Sequence, residues 1–392
     1  MLAIAALASC SKQEFVDPTP NPQEGAKMLV NITLSNGEST KASGAATVTE
    51  DKVINDVTVF FLNPTNQIVS KQWVSGASLT DGTDGVKTAT VETRSTASHM
   101  MVIANLGNDR TTGTLNVGTR TQLEGVVQSL INTDASPLPV QTKGDVLMSG
   151  EGTVNNMTAQ DGGAASTADA SVTLNFVAAK ITLSKMELGA DVKGVYGEDF
   201  KFTRAFLLNV QTNSWYFPTA GSYIPTPKAY ANGVAWNTSW AGDDPGYPVV
   251  ADFSEVLNFP NMNAAQENLA HWYVFENNPT SVASTEKPTI LVVEVEWRKT
   301  KADTTDPDNP VAEEKVKKMF NVIFAPGDQN AIAAGQAYNV ALTFNGDFSA
   351  ENEGGNAGGG DDDPDKPNVN ANVAITVTPA DWTDQPTDKP FE

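Results

Sequence analysis

The side chains with which this sequence of 392 residues could do chemistry are few: one cysteine, two histidines and many carboxylates. Cys10 is the sole thiol, so neither an intramolecular disulfide nor a thiolate metal site can form. His99 and His271 leave little room for a histidine-based triad or for zinc ligation. Serines and acidic residues abound, but no nucleophile motif surrounds them. The run Asp361-Asp362-Asp363-Pro364-Asp365 lacks the spaced ligands and distant bidentate glutamate of a calcium loop, and reads as a solvated linker. Gly354 to Gly360 precedes no helical pattern, so it is not a phosphate-binding loop. Trp215, Tyr216, Trp236 and Trp240 could stack on a sugar ring, or could simply pack. Catalysis is therefore the weakest reading, and no metal or cofactor is implied.

Cys10 has a distinctive context. Met1 to Ala8 is a nearly unbroken apolar run, too short to span a bilayer and suited to the core of a signal segment. Leu7-Ala8-Ser9-Cys10 resembles the lipobox of bacterial lipoproteins, which implies cleavage before Cys10 and attachment of a diacylglycerol thioether to it. No basic segment precedes the apolar run, so the true signal peptide is expected to begin further upstream.

With 47 acidic against 25 basic residues, the formal net charge is −22. Such a surface repels phosphate backbones and anionic membrane faces, which argues against nucleic acid as a partner. The length suits two domains with separate cores.

Those cores are built from strands. Met28, Val30, Ile32 and Leu34 are apolar at period two and end at an Asn36-Gly37 turn. Val53–Leu62, Gln67–Val74, Lys87–Thr93, Ser98–Ala104, Asp145–Met148 and Ala170–Phe176 read similarly. Arg120 to Ile131 shows helical spacing, and Gly152 to Ala168 reads as a loop. Further strands are expected at Ala179–Leu188, Lys201–Val210, His271–Glu276, Pro288–Arg298, Val316–Phe324 and Ala337–Phe344. Between them lies an irregular stretch rich in aromatics and prolines, Trp215 to Pro248. Short strands punctuated by Gly, Asn, Asp and Pro argue for an all-β chain of two β-sandwiches, 42–178 and 179–346. Residues 1–10 form the signal segment, 11–41 a tether with a first strand, and 347–392 a linker with a terminal strand.

That terminal strand has a clean apolar face. Val369, Ala371, Val373, Ile375 and Val377 alternate with Asn370, Asn372, Ala374, Thr376 and Thr378, behind a Gly- and Asp-rich tether. It and Met28–Leu34 suit one and the same edge groove of a sandwich. An emptied groove exposes apolar side chains and unpaired backbone, which a strand from another copy could cover by β-augmentation. Lys41, in a polar loop after the first strand, offers a trypsin-like protease the bond Lys41–Ala42; an ordinary surface lysine is the plainer reading.

Thr40-Lys41-Ala42, Glu50-Asp51-Lys52-Val53, Val57-Thr58-Val59-Phe60-Phe61 and Met101 to Gly107 together resemble the fimbrillins, the type V pilins of Bacteroidales. So do Val146 to Gly150, Ala178 to Ile181, Tyr273 to Asn277, Pro288 to Leu291, Tyr338-Asn339-Val340, and Val373 to Val377 with Trp382 downstream. The resemblance implies two transthyretin-like β-sandwich domains and export as a lipoprotein precursor, lipid-anchored to the outer membrane. It further implies cleavage by a trypsin-like maturation protease after a basic residue, and donor-strand polymerisation with other copies and related pilins into a cell-surface fimbrium. Well-known members carry arginine at the cleavage position; here Lys41 matches it, with Lys27 and Lys52 as other candidates. Two other readings stand beside the shaft or stalk subunit: a carbohydrate- or ligand-binding surface lipoprotein, and a tip or accessory pilin.

Overall fold

The computed structural model describes residues 25–36, 51–82, 86–129, 141–158, 165–190, 200–235, 246–257, 259, 262–279, 287–300, 304–307, 310–325, 331–345 and 373–381. Twenty strands run along them. The first six are β1 (Lys27–Asn36), β2 (Val57–Leu62), β3 (Ile68–Val74), β4 (Thr80–Asp81), β5 (Lys87–Arg94) and β6 (His99–Ala104). After helix α1 (Arg120–Glu124) come β7 (Val127–Ser129), β8 (Met148–Thr158) and β9 (Ser166–Phe176). The second half holds β10 (Ala178–Leu188), β11 (Phe200–Leu208), β12 (Val210–Gln211), β13 (Asn213–Trp215), β14 (Tyr230–Ala231) and β15 (Ser254–Val256). It closes with β16 (Gln266–Phe275), β17 (Thr289–Thr300), β18 (Glu314–Phe324), β19 (Gln336–Phe344) and β20 (Val373–Asp381).

The first nine strands, β7 excepted, form one eight-stranded sheet in the order β3-β2-β6-β8-β9-β1-β5-β4. The sheet curls so that β3 meets β5, where the Ser70 and Thr93 hydroxyls share a hydrogen bond. Alternation decides the facing: along β9, Ala168, Ala170, Val172, Leu174 and Phe176 are buried between exposed neighbours. β2 is buried along its whole length, its apolar run interrupted only by Thr58. Its turn into β3 is held by Asn63, whose Oδ1 accepts from the backbone N–H of Thr65 and Gln67, and it places Asn66 at φ 62°.

The second half is a sandwich of two four-stranded sheets, β16-β10-β19-β20 and β15-β11-β17-β18. Phe344 of β19 reaches across to Phe202 of β11 (ring centroids 5.0 Å apart) and Phe320 of β18 (5.1 Å). The outer face of the β11–β17–β18 sheet is also covered, by a smaller cluster that includes Phe206, Ile290, Val292 and Val234. This explains why Ile290–Val293 is apolar without alternation.

Three local expectations are corrected. The helix ends at Glu124 rather than Ile131, because Val127–Ser129 pairs with Asn213–Trp215 as a strand. The expected loop Gly152–Ala168 is largely two long strands, since β8 runs to Thr158 and β9 begins at Ser166. Gly150 and Gly152 there permit close backbone approach: a Cβ on Gly150 would lie 2.2 Å from the Thr173 carbonyl oxygen. The short strand expected at Asp145–Met148 becomes only the entry to β8.

Candidate assembly site

The first strand is not at an edge. β1 lies between β9, to which it is parallel, and β5, to which it is antiparallel. The expected edge groove is thus an interior slot, with a hydrogen-bonding ladder along each wall. Met28, Val30 and Leu34 are fully buried and Ile32 is 1% exposed. Burying four such side chains contributes on the order of 10 kcal/mol gross. Without β1, those contacts and both ladders would be open to water.

The outward face of β1 carries Lys27, Asn31, Thr33 and Ser35, with the half-buried Leu29 among them. Asn31 sits directly opposite Asp169 on β9 and Thr90 on β5. Its Nδ2 donates to Asp169 Oδ1 at 3.4 Å, and its Oδ1 accepts from the Thr90 hydroxyl at 2.9 Å. Four residues earlier, Lys27 Nζ is 2.6 Å from Glu92 of β5. The strand enters through Gly25 at φ 105°, where Ala26 and Ser95 exchange hydrogen bonds.

The terminal strand occupies a different position. Among the described residues β20 pairs antiparallel with β19 alone, Phe344 opposite Val373 through Gln336 opposite Asp381, and forms the end of its sheet. Pro379, which lacks an N–H, is tolerated there because one side of the strand has no ladder to complete. The described strand runs to Asp381, four residues past the expected end at Val377. Val373, Ile375 and Val377 lie within it, whereas Val369 and Ala371 fall outside the described residues. Cys10, Lys41 and Ala42 also fall outside them.

Between β1 and β2 lies Asp51, which in the sequence stands out only as part of Glu50-Asp51-Lys52-Val53. Asp51 is 1% exposed; its Oδ2 accepts from Lys180 Nζ of β10 at 2.5 Å, and its Oδ1 from the Tyr273 hydroxyl of β16. A second polar junction links the halves where Gln128 Oε1 accepts from the Tyr216 hydroxyl (2.6 Å) and from Arg110 (2.9 Å). Burial pushes the Tyr216 hydroxyl pKa up. A third residue, Asn105, adopts φ 66° and bridges three segments, donating to the Val53 and Val146 carbonyls and accepting from Asn55 N–H. An asparagine followed by Leu-Gly at a strand end was the available sign of such a left-handed residue.

The remaining candidates have structural places. Tyr216 is 1% exposed, so it cannot stack on a sugar; Trp236 and Trp240 fall outside the described residues. His99 is exposed at the start of β6 and shares a hydrogen bond with Ser98, and His271 packs edge-on to Tyr273. A groove of about 710 Å³ lies between β3 and β5, crossed by Lys71, which donates to Asn116 Oδ1. No group of three or more His, Cys, Asp or Glu suited to a metal occurs among the described residues. Nor does any described helix have the length and apolarity to cross a membrane.

Comparisons with known proteins address the chain as a whole. The family profile of the FimA-like major fimbrial subunit protein, C-terminal domain, matches residues 178–382, and that of the major fimbrial subunit protein FimA matches residues 26–184. Among solved structures, a candidate cell adhesion protein of Bacteroides eggerthii is 24% identical over 93% of this chain and 98% of its own, with a TM-score of 0.68. A candidate cell adhesion protein of Parabacteroides distasonis is 15% identical (91% and 99% covered, TM-score 0.58). A fimbrilin of Porphyromonas gingivalis is 19% identical (91% and 97% covered, TM-score 0.55). At these identities the structures speak for a shared fold. No match is found among the curated proteins.

Proposed function

Since this chain belongs to the FimA-like fimbrial subunit family, the fimbrillins of Bacteroidales, we propose that it is a shaft or stalk pilin that polymerises by donor-strand exchange. The family places it in the cell-surface fimbrium as a structural subunit. The observation that carries the assembly reading is the position of β1: a terminal strand, buried through four apolar side chains, yet bounded by partners on both sides.

In this reading the precursor is exported as a lipoprotein held at the outer membrane through Cys10, and a trypsin-like protease cuts after Lys41. β1 then leaves together with the lipid, and the slot between β5 and β9 receives the C-terminal strand of another copy or of a related pilin. A head-to-tail contact of this kind does not close on itself and yields a filament. Of two sandwich domains, 42–178 and 179–346, the first would carry the slot and the second would lead through the linker into the donor strand within 347–392. The switch from the first sheet to the second at Val177 and the overlap of the two family profiles near it support that division. Surface adhesion is the role such a fimbrium would serve.

The test is direct. Lipid-free chain treated with trypsin should give ladders of SDS-resistant oligomers, with a new N-terminus at Ala42 by mass spectrometry. Monomers alone after cleavage at that bond, together with no effect of deleting 369–392, would overturn the proposal.

A further inference from the structure

The slot carries information about how an incoming strand must sit, and the C-terminal sequence answers it. This inference rests on the strand-exchange reading above. Four inward positions of the slot, now held by Met28, Val30, Ile32 and Leu34, require apolar residues. At its centre, on the outward face, Asp169 and Thr90 flank the place now held by the Asn31 amide.

Because side chains alternate, an incoming strand can shift only in steps of two residues without turning its apolar face outward. The outward candidates for the Asn31 place are therefore Asn370, Asn372, Ala374, Thr376 and Thr378. Asn370 would bring Pro367 into an inward position, and Thr376 or Thr378 would bring in Pro379. A proline there removes an N–H that an interior strand needs for its ladder. Two registers survive. With Asn372 at the centre, the inward set is Val369, Ala371, Val373 and Ile375; with Ala374, it is Ala371, Val373, Ile375 and Val377. Each set holds two valines, one alanine and one isoleucine, so apolar burial does not choose between them. The same two sets result whichever way the strand runs, since they are symmetric about the central residue.

The outward face does choose. Asn372 restores an amide that can donate to Asp169 and accept from Thr90, and Ala374 restores nothing. We propose that Asn372 is the register-determining residue of the donor strand, taking the place of Asn31 between Asp169 and Thr90 of the receiving copy. The trans segment centred on it lies upstream of the stretch Val373–Asp381 that pairs with β19 within one chain, and overlaps it only at 373–375.

Full-length cysteine variants that leave Asn372, Asp169 and Thr90 intact test this after trypsin cleavage of lipid-free chain. Thr88→Cys, on β5 opposite Thr33 and so two residues from the centre, should form an intermolecular disulfide under mild oxidation with either Ala374→Cys or Asn370→Cys, according to strand direction; a disulfide with Thr376→Cys, or with neither Ala374→Cys nor Asn370→Cys, overturns the proposal. In a separate assay without cysteines, Asn372→Ala should slow ladder formation about threefold to tenfold, as expected for one solvent-exposed polar contact. Thr90→Val should add little to Asn372→Ala. Ladders of normal rate from Asn372→Ala sink the register assignment alone. If wild-type chain gives no ladders, strand exchange falls and the register with it.

Discussion

Asp51 Oδ2 lies 2.5 Å from Lys180 Nζ, so the chain ten residues beyond Lys41 is pinned to the second half of the molecule. The carboxylate is buried while the lysine side chain is 20% exposed, and the Tyr273 hydroxyl completes the site. In a precursor that loses β1, this pin would keep the base of the new N-terminus at the junction between the halves.

Removing the pin should therefore cost stability. Asp51→Ala leaves the Tyr273 hydroxyl without its acceptor, although Lys180 can turn toward water. A loss of about 2–4 kcal/mol is expected, read as a lower urea midpoint. A double-mutant cycle with Lys180→Met should be clearly non-additive.

The assembly reading distinguishes precursor from cleaved chain at Ile32. Ile32→Ala should destabilise the precursor by about 2–4 kcal/mol, the usual cost of truncating a fully buried isoleucine. After cleavage at Lys41 and departure of β1, the variant and the wild type should have the same urea midpoint and polymerise at the same rate. A persistent difference would mean that β1 stays in place.

Gly150→Ala probes the close approach of β8 to β9. Its methyl group would meet the Thr173 carbonyl at 2.2 Å and Val172 Cγ1 at 2.8 Å, so backbone must move. Overpacking of this kind costs about 1–3 kcal/mol. Urea unfolding should show a lower midpoint with an unchanged slope.

Glu276 makes stability depend on pH. Burial raises its pKa above the usual 4.5, against hydrogen bonds from Tyr223 N–H and the Ser222 hydroxyl that lower it. The folded state therefore holds this proton more tightly than the unfolded chain does. The resulting stability is present below 4.5 and is lost as pH rises through the folded-state value. Glu276→Gln removes the dependence, so its stability relative to wild type should be higher at pH 7 than at pH 4, as measured by urea unfolding at both.

Much of this molecule was legible from local pattern alone. The all-β class, the buried face Met28–Leu34 and most strand positions follow from period-two alternation, which any half-buried strand must show. Alternation states which face is buried but not which neighbours a strand takes, because backbone ladders are indifferent to side-chain identity. Hence only the tertiary structure placed β1 inside its sheet instead of at an edge, and set β20 against β19. For the same reason Val127–Ser129 was misread as helix: its partner, Asn213–Trp215, is distant in sequence. Asp51 and Asn31 were silent residues in the chain, since a carboxylate or an amide acquires its meaning from partners that only folding brings within hydrogen-bonding distance.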